Sequence, residues 1–137
     1  MDNQPLATIM AADPVTVDRS QTVSEVRFLL ANERIHHLPV IEEGRLVGMI
    51  SSNDVMRVSF ALDTDDAVSR TLLDKTVSID DLMVTDLVTV SAHGNVRDAA
   101  IALSAGGFHA VPVVDDQAHL VGIVTSTDLI QYLLDQH

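Results

Sequence analysis

The chain contains no cysteine. Disulfides, thiolate metal sites and a cysteine nucleophile are thereby excluded, and the composition suits a reducing cytosol. Tryptophan is absent too, and three Phe and one Tyr are all the aromatic residues, so no stacking platform exists for single-stranded nucleic acid. Basic residues are scarce: eight Lys and Arg stand against 20 Asp and Glu, a formal net charge of −12. A surface of that sign repels a phosphate backbone, which sets nucleic acid aside as a partner. A single nucleotide is a different matter, because carboxylates beyond a Debye length of ~8 Å are largely screened and a few local cations suffice. No apolar run approaches the ~20 residues needed to cross a bilayer. The opening Met1-Asp2-Asn3-Gln4-Pro5 lacks the basic-then-apolar order of a signal peptide. The expectation is a soluble cytoplasmic protein without a membrane partner.

The 137 residues fit one domain by length. Half of them would make a marginal core, since small units bury too little of their surface; two similar halves packed together would solve this. An apolar content of 47% with 20% charged residues is ordinary for a globular chain.

One heptapeptide occurs twice, as Gly48-Met49-Ile50-Ser51-Ser52-Asn53-Asp54 and as Gly122-Ile123-Val124-Thr125-Ser126-Thr127-Asp128. Glycine and two apolar residues end a short buried strand, a hydroxyl residue follows, and an aspartate stands three positions on, where an apolar-periodic run begins. The pattern predicts a strand passing into a helix N-terminus, where free N–H groups welcome anions.

Around this heptapeptide the whole chain repeats. Leu6 to Met10 is a short apolar stretch ended by the turn Asp13-Pro14. Val15-Thr16-Val17 reads as a strand, and Thr22-Val23-Ser24-Glu25 as a capping box, with the Thr oxygen accepting and Glu reaching back. The helix it opens buries Val23, Val26, Phe28 or Leu29, and Leu30. His37 to Ile41 is a strand, Glu42-Glu43-Gly44-Arg45 an acidic turn, and Leu46 to Ile50 the returning hairpin strand. In the second half Met83, Val88-Thr89-Val90, Asn95-Val96-Arg97-Asp98 and His109-Ala110-Val111-Pro112-Val113 match at a constant offset of 73. One insertion in the second acidic turn (Asp115-Asp116-Gln117-Ala118-His119) raises the offset to 74 for Leu120 through Asp128. An offset held so long is an internal duplication.

The predicted fold is mixed α/β: two pseudo-two-fold-related β-α-β-β-α repeats, residues 1–62 and 79–137, with a linker at 63–78. The first two strands of each repeat are joined by a helical crossover and should be parallel, and the last two antiparallel. The stretch from Arg57 to Val77 reads as a helix end, an acidic break at Asp63-Thr64-Asp65-Asp66 and a second helical piece.

The doubled pattern, with Pro39 and Pro112 in the middle strands and Gly-apolar-apolar-Ser/Thr-x-x-Asp after the third, resembles the paired cystathionine β-synthase (CBS) domains, or Bateman module, from about Leu6 to Leu134. The resemblance implies two clefts between the sheets where adenine nucleotides (AMP, ADP or ATP) commonly bind as regulatory ligands, a homodimer, and a regulatory role exerted through that dimer or through a regulated partner protein. It implies that Asp54 and Asp128 accept from ribose hydroxyls, that Ser51, Asn53, Thr125 and Thr127 face ribose or phosphate, and that Thr16 and Thr89 lie near the base. Arg34-Ile35-His36-His37-Leu38-Pro39-Val40 looks like the phosphate-contacting segment in the regulatory γ subunit of AMP-activated protein kinase. There a His-Arg pair precedes Leu-Pro; here the second member is His37. The second half offers Gly107, Phe108, His109 and Ala110, so only His109 carries over.

The chemistry is coherent. An ionised carboxylate can accept both hydroxyls of a diol, at ~1.5–3 kcal/mol per charged hydrogen bond. A plainer account also stands: Ser51-x-x-Asp54 and Thr125-x-x-Asp128 fit capping boxes that need no ligand. Two other readings stay open, a ligand-free dimerisation or protein-interaction module and a sensor of S-adenosylmethionine or another nucleoside. No catalytic residue is expected, since there is no nucleophile elbow, P-loop or dinucleotide fingerprint. No metal site is expected either, because the six histidines are scattered without an i,i+4 helical pair. The closing helices carry apolar residues (Val55, Met56, Val58; Leu129, Ile130, Leu133, Leu134) that point to self-association.

Overall fold

The computed structural model describes residues 4–59, 67–106 and 108–136. Residues 63–66, read as the acidic break, and Gly107 lie outside the described residues. Two compact units form, and their boundaries are not those of the repeats.

The first-repeat unit comprises Val15–Glu43 and Val47–Leu87. Its sheet has the order β2-β3-β4, with β2 at Val17–Asp18, β3 at His37–Glu42 and β4 at Arg45–Ser51. β2 runs parallel to β3, Val17 facing Val40, as the crossover requires. The strand expected at 15–17 is shifted toward the C-terminus for a simple reason. Pro39 has no N–H to donate, and the parallel ladder begins at the residue after it. A tight turn links β3 to β4, with left-handed φ of 53° at Glu43 and 80° at Gly44, as a two-residue hairpin loop demands.

Helix α1 (Val23–Asn32) opens as expected, the Thr22 hydroxyl accepting from the Glu25 N–H at 3.2 Å. The expected return bond from Glu25 is not made; Gln21 Nε2 donates to that carboxylate at 2.6 Å instead. α1 buries Val23 and Val26, with Leu29 and Leu30 half-buried, and leaves Phe28 outside. α2 (Ser52–Ser59), α3 (Ala67–Thr76) and α4 (Ile79–Leu82) complete the unit. α3 and α4 are more than a linker: Leu73, Ile79 and Leu82 sit in the same core as Val17, Leu38 and Ile50. The Asp74 carboxylate accepts from the Ser24 N–H at 2.9 Å, so α3 caps α1. Arg19 forks onto Asp80 at 2.8 and 3.2 Å, which raises its already high pKa.

The second-repeat unit comprises residues 4–14, Gly44–Leu46 and residues 88–136. Its sheet order is β1-β7-β6-β5, with β1 at Ala11–Ala12, β5 at Val90–Ser91, β6 at Ala110–Val114 and β7 at Leu120–Thr125. β5 is parallel to β6 and starts opposite Val113, again one residue past a proline; β6 and β7 are antiparallel. Asn95 and Asp98 close a full capping box at the start of α5 (Val96–Ser104). The inserted turn is organised by Asp115, whose carboxylate accepts from the N–H of Gln117 and of His119, each at 2.9 Å. The His119 bond holds that carboxyl below its usual value. α6 (Ser126–Asp135) follows β7, and Leu6, Val111, Val113 and Val124 form the core. Among the described residues no helix is long and apolar enough to cross a membrane.

Each unit borrows the leading segment of the other repeat. Ala11 and Ala12 of the first repeat pair with Ile123 and Gly122, while Met49 and Val84 exchange main-chain bonds of 3.0 and 2.9 Å. Just before each borrowed segment stands a methionine that lies over the motif glycine. A Cβ built on Gly48 would fall 2.5 Å from Met83 Sδ, and one on Gly122 2.6 Å from Met10 Sδ. The glycine of each heptapeptide is therefore a seat for a side chain from the other repeat.

Gly48→Ala is expected to cost about 1–3 kcal/mol in denaturant unfolding, the usual range for overpacking a filled site. Combined with Met83→Ala, it should cost less than the two single changes added together, because the shorter side chain vacates the seat. Strict additivity would show that Met83 does not occupy that space.

Candidate functional site

Both strand-to-helix junctions are built by the same local chemistry. In the first-repeat unit β4 ends at Ser51 and α2 begins at Ser52. The Ser51 N–H and hydroxyl donate to Asp54 Oδ2 at 2.8 and 2.9 Å, and the Asp54 N–H donates to Ser51 Oγ at 3.3 Å. Arg57, one helical turn on, donates to Asp54 Oδ1. Asp54 is 7% exposed, the one buried charged residue among those described, and both of its oxygens have partners. In the second-repeat unit the Thr125 N–H donates to Asp128 Oδ2 at 2.8 Å and the Asp128 N–H to Thr125 Oγ1 at 3.1 Å. Asp128 is half-buried, and no described residue bonds its Oδ1. Gln131, which matches Arg57 in the repeat, turns to Asp135 instead.

The start of each helix is tied to the segment before the middle strand. The Ser52 N–H donates to the His36 carbonyl at 2.9 Å, and the Ser126 N–H to the His109 carbonyl at the same distance. Ser52 Oγ and His36 Nδ1 stand 3.5 Å apart. These bonds bring two sequence-distant pieces together at each junction, as the duplicated motif led us to expect.

In the first-repeat unit that meeting point opens into a cavity of about 520 Å³ between the end of α1, the loop after it and the start of α2. Arg27, Arg34 and His36 supply basic groups, Ser52 a hydroxyl, and Leu30 and Val55 part of an apolar wall. Arg34 is exposed and sits at a left-handed φ of 54°, where the chain turns out of α1. Such a cavity suits a flat or apolar body carrying an anionic end, because guanidinium groups bind phosphate in a fixed fork.

The twelve residues singled out from the sequence divide unevenly. Arg34 and His36 line the cavity; Thr16, His37, Ser51, Asn53 and Asp54 belong to the same unit but are not among its lining residues. Thr16 is half-buried just before β2, His37 half-buried in β3, and Asn53 exposed on α2. In the second-repeat unit Thr125 and Asp128 form the cap, Thr127 is exposed on α6, His109 is exposed before β6, and Thr89 is exposed before β5. Arg27 and Ser52 were missed. The signal for Arg27 was present: positions 27, 30, 31 and 34 follow the i, i+3, i+4, i+7 spacing of one helical face. Among the described residues no group of three or more His, Cys, Asp or Glu is placed to hold a metal.

A family model described as the CBS domain matches residues 6–61 and again 79–135. The chain is 31% identical over 122 residues to L-aspartate semialdehyde sulfurtransferase of Methanocaldococcus jannaschii, covering 88% of this chain and 21% of that protein, so the match is to about a fifth of the relative's length. Among solved structures it is similar to CBSX2 in complex with AMP, a protein of Arabidopsis thaliana, with a TM-score of 0.79, 28% identity and coverage of 96% of this chain and 97% of that one. It is also similar to the CBS domain pair of protein MJ0100 in complex with 5′-methylthioadenosine and S-adenosyl-L-methionine, with a TM-score of 0.81, 28% identity and coverage of 99% and 100%.

The two aspartates should differ in the ligand-free protein. Asp128→Ala removes a cap and is expected to cost ~1 kcal/mol in denaturant unfolding. Asp54→Ala also strips a buried carboxylate from Ser51 and Arg57, and its cost should rise to ~1.5–3 kcal/mol. Equal costs would show that the Arg57 contact and the deeper burial contribute nothing.

Proposed function

The chain belongs to the CBS-domain family, with two copies in tandem, and from that premise we propose that it is a regulatory, non-catalytic module that binds an adenosine-containing ligand and passes its binding state to a partner protein or through its own dimer. The observation that carries this reading is the cavity at Arg27, Arg34 and His36. A chain with a formal charge of −12 places two of its few guanidinium groups and an imidazole around one apolar-walled hollow. That is the chemistry an adenine nucleotide needs: a wall for the base and donors for the phosphate. AMP, ADP and ATP are the ligands it fits best. Two structures of this fold support the ligand class, one holding AMP and the other 5′-methylthioadenosine and S-adenosyl-L-methionine. The match to the sulfurtransferase rests on the paired CBS repeats, and we carry no catalytic step over from that larger protein.

The capping boxes shape the mechanism. Asp54 holds the first turn of α2 in place, and so fixes Ser52 against His36 at the mouth of the cavity. A carboxylate oxygen that already accepts one bond keeps a second lone pair, so a ribose hydroxyl at Asp54 competes with Arg57, whose side chain is 72% exposed and free to swing out. A second reading, a sensor of S-adenosylmethionine or another nucleoside, is favoured by one observation: Asp128 offers an oxygen without a partner among the described residues, beside no guanidinium.

Self-association belongs to the same proposal. Phe28 and Met56 in one unit and Ile101, Ile130 and Leu134 in the other expose more than half of their surface on helices. Burial of side chains of this size is worth about 1.5–3 kcal/mol each, which favours a homodimer.

Thermal unfolding with AMP, ADP, ATP, 5′-methylthioadenosine and S-adenosylmethionine tests the ligand reading. At a hundred times its dissociation constant a ligand adds ~2.7 kcal/mol, a melting rise of roughly 10 °C in a chain of this size. No shift with any of the five at millimolar concentration would leave the interaction-module reading in possession. Light scattering on the purified protein should give twice the mass of the chain, and a monomer at high concentration would remove the dimer.

A further inference from the structure

The duplication has produced two junctions with the same backbone plan and opposite chemistry. Mapped through the repeat, Arg27 becomes Ala100, Ile35 becomes Phe108, Val55 becomes Leu129 and Met56 becomes Ile130, and Arg34 has no basic counterpart. The second-repeat junction thus keeps the helix start and the histidine but loses both guanidinium groups. The carboxylates differ in the reverse sense: Asp54 is clamped by Arg57, whereas Asp128 has an oxygen open among the described residues. One junction is equipped for an anionic end, the other for neutral hydroxyl donors.

We propose that the chain takes one phosphorylated ligand, at the Arg27–Arg34–His36 cavity of the first-repeat unit, and that the second-repeat junction accepts only an uncharged ribonucleoside, through Asp128. This rests on the adenosine-ligand reading above and adds to it a division of labour. Arg34, with Arg27, is the specificity determinant that separates phosphorylated from unphosphorylated ligands. A guanidinium forms charge-assisted bonds with phosphate oxygens that no group at Ala100 or Phe108 can replace. At the second-repeat junction a phosphate would have neither guanidinium to offset its charge, in a chain that is strongly acidic overall.

Calorimetric titration of the full chain with AMP and, separately, with adenosine tests the proposal. AMP should bind with a stoichiometry of one per chain. Arg34→Asn is the first variant, because asparagine tolerates the left-handed φ of 54° found there; Arg27→Gln, a good helix former inside α1, is the second. Each should weaken AMP by roughly ten- to a hundredfold, the loss of one or more charged hydrogen bonds, and leave adenosine within about twofold. Asp128→Ala should weaken adenosine and leave AMP at one per chain. Two equivalent AMP sites, or variants that weaken adenosine as much as AMP, would overturn the division of labour while the adenosine-binding role survived. Wild-type protein that bound neither AMP nor adenosine would overturn both.

Discussion

A carboxylate three residues into a helix, bonded back to the last residue of the preceding strand, sets the direction in which each closing helix leaves its sheet. At both junctions this bond is made at 2.8 Å, by Asp54 to the Ser51 N–H and by Asp128 to the Thr125 N–H. It satisfies N–H groups that would otherwise be orphaned where the strand ladder stops and the helix ladder has yet to begin. The histidine before the middle strand is drawn in by the next N–H along. Cap and cavity are therefore not rival explanations of the same aspartate: the cap is what keeps the cavity's rim in register.

The glycine that opens the motif answers a different need. It leaves room for a methionine brought in by the other repeat, so the seats at Gly48 and Gly122 depend on main-chain pairing as well as on space. Packing of this kind is intolerant of added volume, because protein interiors have little void to give up.

Much of this was legible from the residues. The duplication exposed the order of elements, the parallel and antiparallel pairings and the existence of two alike junctions, since one repeat could be read against the other. What escaped depended on partners that local pattern does not name. Phe28 and Leu29 are equally apolar, and only the core decides that Leu29 turns inward. The shift of β2 and β5 follows from a missing N–H at Pro39 and Pro112 on the neighbouring strand. Glu25 was expected to close a box, but Gln21 lies nearer to its carboxylate. Arg27 was hidden by its own helix: read as part of an apolar stripe, the face at 27, 30, 31 and 34 concealed its two basic ends.

The borrowed leading segments make the repeat boundary a poor place to divide the polypeptide. Cleavage within residues 63–78 would take Ile79, Leu82 and Met83 away from the core they complete, and would leave Leu6 and Met10 with no sheet to cover. Neither fragment could close its own interior. The protein is thus two units in space yet a single heritable piece, and any evolutionary shuffling of it must carry both halves at once.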